Sequence, residues 1–135
     1  MYTINATPYG VRVAFHGDVT ADEARRWADD SRDVLASMGG RFHVFLDMRE
    51  LRPTSDEAYA EIAAGQALYE RSGMDRSVVV VSDTDVARRF TELAQASGDD
   101  EWERYLDATT MRDWEQRGVA WLERGVDPGR TDVSV

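Results

Sequence analysis

Several residue types are absent from this sequence or rare in it. It contains no cysteine and no lysine, and it has only two histidines. Without cysteine, the chain cannot form disulfides, thiolate metal sites or a cysteine nucleophile. All 16 basic residues are arginine and 26 residues are acidic, which gives a formal net charge of −10. Such an acidic surface repels nucleic-acid phosphates and anionic lipid headgroups, so we expect no nucleic-acid partner.

Long apolar runs are absent as well. No segment approaches the roughly 20 consecutive apolar residues that a membrane-spanning helix requires. The first residues, MYTINATPYG, contain no basic stretch followed by an apolar segment, so they do not resemble a signal peptide. These features predict a cytoplasmic protein. The length of 135 residues fits one domain, which we expect over 1–126, followed by a frayed tail over 127–135.

Short apolar segments alternate with segments of helical spacing. The segments typical of strands lie at 4–6, 11–15, 41–46, 77–82 and 102–106. The segments typical of helices lie at 21–38, from 54 or 55 to 71, from 83 to a turn at 98–100, and at 111–124. This order predicts an α/β fold with a mixed, mostly parallel five-stranded sheet, an antiparallel N-terminal hairpin and four helices. The apolar runs RFHVFL and SVVVVS are predicted to be adjacent, parallel and central.

The ordered set of these elements resembles the SpoIIAA-like family, a branch of the STAS class related to Sec14-type lipid-binding domains. The resemblance covers about residues 2–124 and lies in the segments GDVT (17–20), VFLDMREL (44–51), VVVVSDTDVARRF (78–90), RYLDAT (104–109) and GVAWLERG (118–125), with Ser55 at a helix start. It implies a small regulatory protein that acts through protein–protein interaction. It also implies an alternative, a carrier of an apolar or lipid-like ligand that can associate with membranes.

The resemblance also implies a phosphorylation site. In anti-sigma-factor antagonists of this class, a partner kinase phosphorylates a serine at the start of this helix, within the pattern Asp-Ser-Ser-Gly. This sequence has Pro53-Thr54-Ser55-Asp56-Glu57 instead. Ser55 and Thr54 are therefore candidate phosphoacceptors, but the glycine is missing and two acidic residues follow. We expect Ser55 to be a helix N-cap that is not efficiently phosphorylated.

A ligand or partner groove is predicted beside the second helix. Asp47 is expected at the carboxyl end of a central strand, where ligands bind in open α/β sheets. Ser82-Asp83-Thr84-Asp85 would border the same edge, as helix caps or as ligands of a divalent ion. The second helix is rich in alanine and contains Gly65, so we expect it to move and open an apolar pocket. The candidate groove residues are Asp47, Tyr59, Ile62, Ala63, Gln66, Val86 and Phe90.

No catalytic motif is recognisable. The chain has no HExxH, no nucleophile elbow, no phosphate-binding glycine loop and no dinucleotide fingerprint. Nothing in the sequence places a serine beside His16 or His43, as a hydrolytic triad requires. We therefore expect a non-enzymatic protein without metal or cofactor, whose partner is another protein or a second copy of this chain. An apolar small molecule or lipid is the alternative partner, and an unrecognised enzyme is the third hypothesis.

Overall fold

A computed structural model describes residues 1–97 and 101–128. Its sheet has five strands, in the spatial order β1-β2-β3-β4-β5. The strands are β1 (Tyr2–Thr7), β2 (Gly10–Gly17), β3 (Phe42–Leu51), β4 (Met74–Val81) and β5 (Glu103–Asp107). The first pair is antiparallel and the other three pairs are parallel. The predicted α/β class and mixed sheet are confirmed, and β3 and β4 are adjacent and parallel as expected.

Four helices connect or follow the strands. They are α1 (Ala21–Ala36), α2 (Asp56–Arg71), α3 (Thr84–Ser97) and α4 (Trp114–Arg124). Side-chain oxygens begin the first three helices by accepting hydrogen bonds from backbone amides. Thr20 accepts from the amide of Glu23, and Ser55 accepts from the amide of Ala58, each at 3.1 Å. Among the described helices, none combines the length and the apolar character needed to cross a membrane.

The strand order decides which face each helix covers. Each of the three connections between parallel strands leads to the neighbouring strand, always in the same direction across the sheet. Such connections are right-handed, so the helices within them, α1, α2 and α3, all lie on one face of the sheet. Trp27, Ile62 and Phe90, one from each of these helices, share a core cluster with Val11 and Val13. The chain then returns across the other face as α4. The core on that face consists of Phe45, Val78, Val80, Leu106, Trp121 and Leu122.

Helix α4 covers only part of its face. It packs mainly against β3, β4 and β5, and within the described part of the chain no helix packs over β1 or most of β2 on this side. Because Val11, Val13 and Phe15 point to the other core, Arg12 and Ala14 of β2 point to the uncovered side. Parallel strands are normally buried on both faces. Here, β2 leaves its polar side partly exposed, whereas Phe45 and Asp47 of β3 are buried beside α4.

Several predicted boundaries were wrong. The third strand segment ends at residue 46 in the sequence analysis, but β3 continues to Leu51, since Met48 and Leu51 are buried in the core. Helix α1 ends before Met38, and α4 begins three residues after Met111. At the start of the segment expected to fray, the Asp127 carboxylate accepts two hydrogen bonds of 3.1 Å from the Arg104 guanidinium, and the frayed tail stays a prediction. The turn expected at 98–100 and the tail residues 129–135 lie outside the described residues.

Candidate functional site

Asp47 lies in the middle of β3 rather than at its carboxyl end. Its neighbours in the sheet register are Ala14 on β2 and Val80 on β4. Because side chains alternate along a strand, Asp47 shares the α4 side with Phe45, while Leu46 and Met48 point into the opposite core. The residue is only 8% exposed. A buried carboxylate requires partners, and the structure provides two arginines.

Arg49 and Arg12 hold the Asp47 carboxylate. Nε of Arg49 donates to Oδ1 at 2.9 Å, and Nη2 donates to Oδ2 at 2.8 Å, which is the strong bidentate geometry. The Arg49 amide also donates to Oδ1, and Nη2 of Arg12 lies 3.6 Å from Oδ2. Burial alone would raise the pKa of Asp47. The hydrogen bonds and charge of Arg49, with the charge of Arg12, outweigh burial and hold this pKa below its usual value.

Each of these two guanidinium groups also stacks on an aromatic ring. Cζ of Arg12 lies 4.3 Å from the centroid of the Phe45 ring, and Cζ of Arg49 lies 4.1 Å from that of Trp114. The two rings are themselves in contact, with centroids 6.1 Å apart. Cation–π contacts and a shared carboxylate therefore fix both side chains. We call Arg12 and Arg49 the arginine pair.

The arginine pair lies at the edge of α4, beside the uncovered part of the sheet. We call this surface the open face, and its residues are Asn5, Arg12, Ala14, His16, Asp47 and Arg49. Asn5 belongs to it because it lies directly opposite Arg12 in the antiparallel β1–β2 pair. Within the described part of the chain, Nη1 of Arg49 donates no hydrogen bond to protein, whereas the Arg12 guanidinium also contacts the Tyr9 hydroxyl. The face thus presents fixed positive groups.

The other predicted groove residues lie on the opposite face of the sheet, so the predicted set does not form one site. Tyr59, Ile62, Val86 and Phe90 are buried in the core beneath α2 and α3, while Ala63 and Gln66 are half-buried. The Tyr59 ring packs edge-on against Phe90, with centroids 5.6 Å apart. These side chains fill the volume in which we expected a pocket. Asp47 is separated from them because strand alternation points it through the other face.

Gly65 lowers the helix propensity of α2, but it also has a role in packing. A Cβ atom at this position would lie 2.7 Å from Cη2 and 2.9 Å from Cε3 of Trp27, and closer still to Cζ3. Trp27 is fully buried and stacks on Tyr69 of α2, with ring centroids 5.5 Å apart. Gly65 therefore provides the space that lets the indole pack against α2. This packing opposes the movement of α2 that the sequence predicts, and hydrogen exchange can test which of the two holds.

The hydroxyl groups of Ser55 and Thr54 are both engaged. Ser55 caps α2, and the Thr54 hydroxyl donates to the backbone oxygen of Val19 at 2.7 Å. Both residues line a cavity of about 530 Å³ at the N-termini of α1 and α2, together with Asp18, Thr20, Asp22 and Glu57. The acidic lining of this cavity would oppose a phosphate group. The hydrogen-bonded hydroxyls and the acidic lining of the cavity agree with the helix-capping role that we expected for Ser55.

The segment Ser82–Asp85 lies in a different place. Ser82, Asp83 and Thr84 line a separate cavity of about 100 Å³ with Asp107 and Thr109. The Asp83 carboxylate accepts from the amides of Asp85 and Val86, so it caps α3. The described residues contain no group of three or more side chains positioned to hold a metal ion.

The two histidines have structural partners. Nδ1 of His16 lies 2.8 Å from a carboxylate oxygen of Glu50. Nδ1 of His43 accepts a hydrogen bond from the amide of Arg76, and burial lowers the pKa of His43. Neither contact pairs an imidazole with a serine hydroxyl.

Sequence reasoning missed the arginine pair and Trp114. The available signal was the alternation V-R-V-A-F in β2, where a single arginine interrupts apolar residues, and the spacing of Asp47 and Arg49, which puts both on one side of a strand. No protein-family model matches this chain, and a search of curated proteins found no sequence that matches it. The geometry of the open face is therefore the basis on which we argue function.

Proposed function

We propose that this chain is a non-enzymatic regulatory or binding protein of the STAS/SpoIIAA-like type, which acts in the cytoplasm through protein–protein interaction. We further propose that the open face is its contact surface. One observation supports this most directly. Two half-exposed arginines are fixed by aromatic rings and by a buried carboxylate, at the border between α4 and the part of the sheet that no described helix covers.

Fixing an arginine before binding favours recognition. A free arginine side chain loses about 2 kcal/mol of rotamer entropy when it is immobilised. Stacking on Phe45 and Trp114 and the shared bond to Asp47 have already removed much of this freedom. Arginine is also among the residues that contribute most to the binding energy of protein interfaces. A partner that contacts the arginine pair would therefore meet preorganised donors.

The alternative functions have less support. Catalysis would require a nucleophile with a base, and the contacts of His16 and His43 provide no such pair among the described residues. A carrier would require α2 or α3 to separate, because the space beneath them is filled by Tyr59 and Phe90. No specific observation favours either alternative.

Quantitative capture from the native host tests this proposal. Tagged wild-type protein, R12Q and R88Q would be crosslinked in cells, purified and analysed by mass spectrometry. Both substitutions remove one positive charge, but Arg88 is an exposed residue of α3 whose partner among the described residues is Asp85. We expect at least one protein to be recovered equally with wild type and R88Q, and about tenfold less with R12Q, as for a central interface residue.

The melting temperatures of the three proteins must be similar for this comparison to report on binding. If every recovered protein is equally abundant with R12Q and R88Q, the open face is not the contact surface, and the proposal is wrong.

A further inference from the structure

We infer that the open face receives a single acidic side chain of a protein partner, and that Glu115 of α4 occupies its position in the free protein. This inference rests on the proposed function and adds the chemistry of the partner. It starts from one contact that the sequence does not indicate. Oε1 of Glu115 lies 3.2 Å from Nη2 of Arg12, although the two residues are 103 positions apart in the chain.

The contact between Glu115 and Arg12 is easily replaced. The Glu115 side chain is 56% exposed, whereas that of Asp47, the other carboxylate near Arg12, is only 10% exposed. Exposed ion pairs contribute little to stability because water and salt screen them. Asp47 is therefore the permanent partner of the arginine pair, and Glu115 is the exchangeable one. An incoming carboxylate can take the place of Glu115 without disturbing the buried bonds to Asp47.

Charge counting favours a carboxylate over a phosphate. In the free protein the two arginines lie beside the carboxylates of Asp47 and Glu115, and Glu50 pairs with His16 of the same face. One carboxylate in the position of Glu115 repeats the contact already present there, whereas a doubly charged phosphate would add a further negative charge. Once Glu115 is displaced, Nη2 of Arg12 can donate a charge-assisted hydrogen bond to the incoming carboxylate.

The net charge of the whole chain further limits which partner segments can bind. The formal net charge is −10, so a strongly acidic segment would be repelled on approach. In a segment with one acidic residue between basic residues, the carboxylate can bind Arg12 while the basic residues are attracted to the acidic protein surface. We therefore expect the partner segment to carry an isolated glutamate or aspartate in a basic context.

Titration of the full chain with two blocked peptides tests this inference. The peptides are Ac-Arg-Gly-Glu-Gly-Arg-NH2 and the same sequence with glutamine in place of glutamate. The readout is the NMR signal of the Arg12 side-chain Nε–H group, assigned by its absence in R12Q. We expect a saturable shift with the glutamate peptide and at least about threefold weaker binding of the glutamine peptide, as one charge-assisted bond is lost.

Two variants of α4 separate competition by Glu115 from general electrostatics. E115Q and E123Q remove the same charge from exposed positions of one helix. If Glu115 competes with the ligand, E115Q binds the glutamate peptide about two- to fivefold more tightly than wild type, in line with a weak exposed ion pair. We expect E123Q to bind like wild type.

The outcomes distinguish this inference from the proposed function. Equal affinities of E115Q and E123Q would refute the displacement of Glu115. Equal binding of the two peptides, or no saturable shift in any variant, would refute recognition of an acidic side chain. A larger Arg12 shift with inorganic phosphate or anionic phospholipid vesicles than with the glutamate peptide would also overturn it. None of these results alters the capture experiment with R12Q and R88Q, which tests the proposed function by itself.

Discussion

Replacing Gly65 by alanine sets two physical effects against each other. Alanine in a helix interior is favoured over glycine by about 1 kcal/mol, so propensity alone predicts a more stable protein. The new Cβ, however, would lie 2.7 Å from Cη2 and 2.9 Å from Cε3 of Trp27, so the indole or the helix must shift. Packing alone therefore predicts a less stable protein.

The surroundings of Trp27 decide which effect is larger. Its ring is fully buried, with Phe15 at a centroid distance of 5.0 Å and Tyr69 at 5.5 Å, so a shift of the indole would disturb both contacts. Overpacking a well-filled core costs about 1–3 kcal/mol, and backbone-adjacent contacts this short belong at the upper end. After the gain in helix propensity is subtracted, we expect G65A to lower the free energy of unfolding by about 2 kcal/mol.

Guanidinium unfolding followed by circular dichroism measures this difference. A64G, at an exposed neighbouring position of α2, controls for propensity and should cost about 1 kcal/mol. In a W27L background the obstructing ring is absent, so adding G65A should stabilise the protein by up to about 1 kcal/mol. If G65A alone is more stable than wild type by a similar amount, Trp27 does not pack against Gly65, and the packing of α1 on α2 described above is wrong.

Three further predictions concern α2 and Asp47. S55A should lower the free energy of unfolding by about 1 kcal/mol through loss of the N-cap, while protein purified from its native host should show no phosphate on Ser55 or Thr54 by intact mass. D47N should cost about 1.5–3 kcal/mol at neutral pH, since it removes a buried charged acceptor. The pKa of Asp47 is lower in the folded protein than its unfolded value of about 3.9. The extra stability of wild type over D47N is therefore complete above about pH 3.9 and disappears as the pH falls through the folded pKa. Acid-unfolding curves of the two proteins would show this loss. Because Trp27 packs closely at Gly65, we expect amides 56–70 to exchange hydrogen as slowly as those of α1, with or without detergent. Fast exchange that detergent slows would instead support the carrier hypothesis.

The fold was predictable where local signals and the global structure agree. Thr20 and Ser55 precede helices as good caps, and the runs in β3 and β4 are too apolar to lie anywhere but the centre of a sheet. The second half of β3 was missed for a physical reason. Its charged residues are typical of a loop, but Asp47 and Arg49 lie on the same side of the strand and neutralise each other, so the strand continues.

The candidate site was only partly predictable because its contacts are long-range. Asp47 was singled out from its position after an apolar run, but its neighbours come from β2 and α4, far away in the chain. Which face a strand residue occupies depends on the register, and a shift of one residue reverses it. Gly65 illustrates the same limit, since only the position of Trp27 shows why glycine is required there.

Site-specific photocrosslinking in the native host tests the central claim most directly. A photoreactive amino acid placed at Asn5, an exposed residue of the open face opposite Arg12, would be compared with one at Ala60, an exposed residue of α2. We expect a discrete protein adduct from position 5 that R12Q abolishes and R88Q retains, and no corresponding adduct from position 60. An adduct from position 60 alone, or one from position 5 that R12Q leaves unchanged, would contradict the assignment of the open face as the surface through which this protein acts.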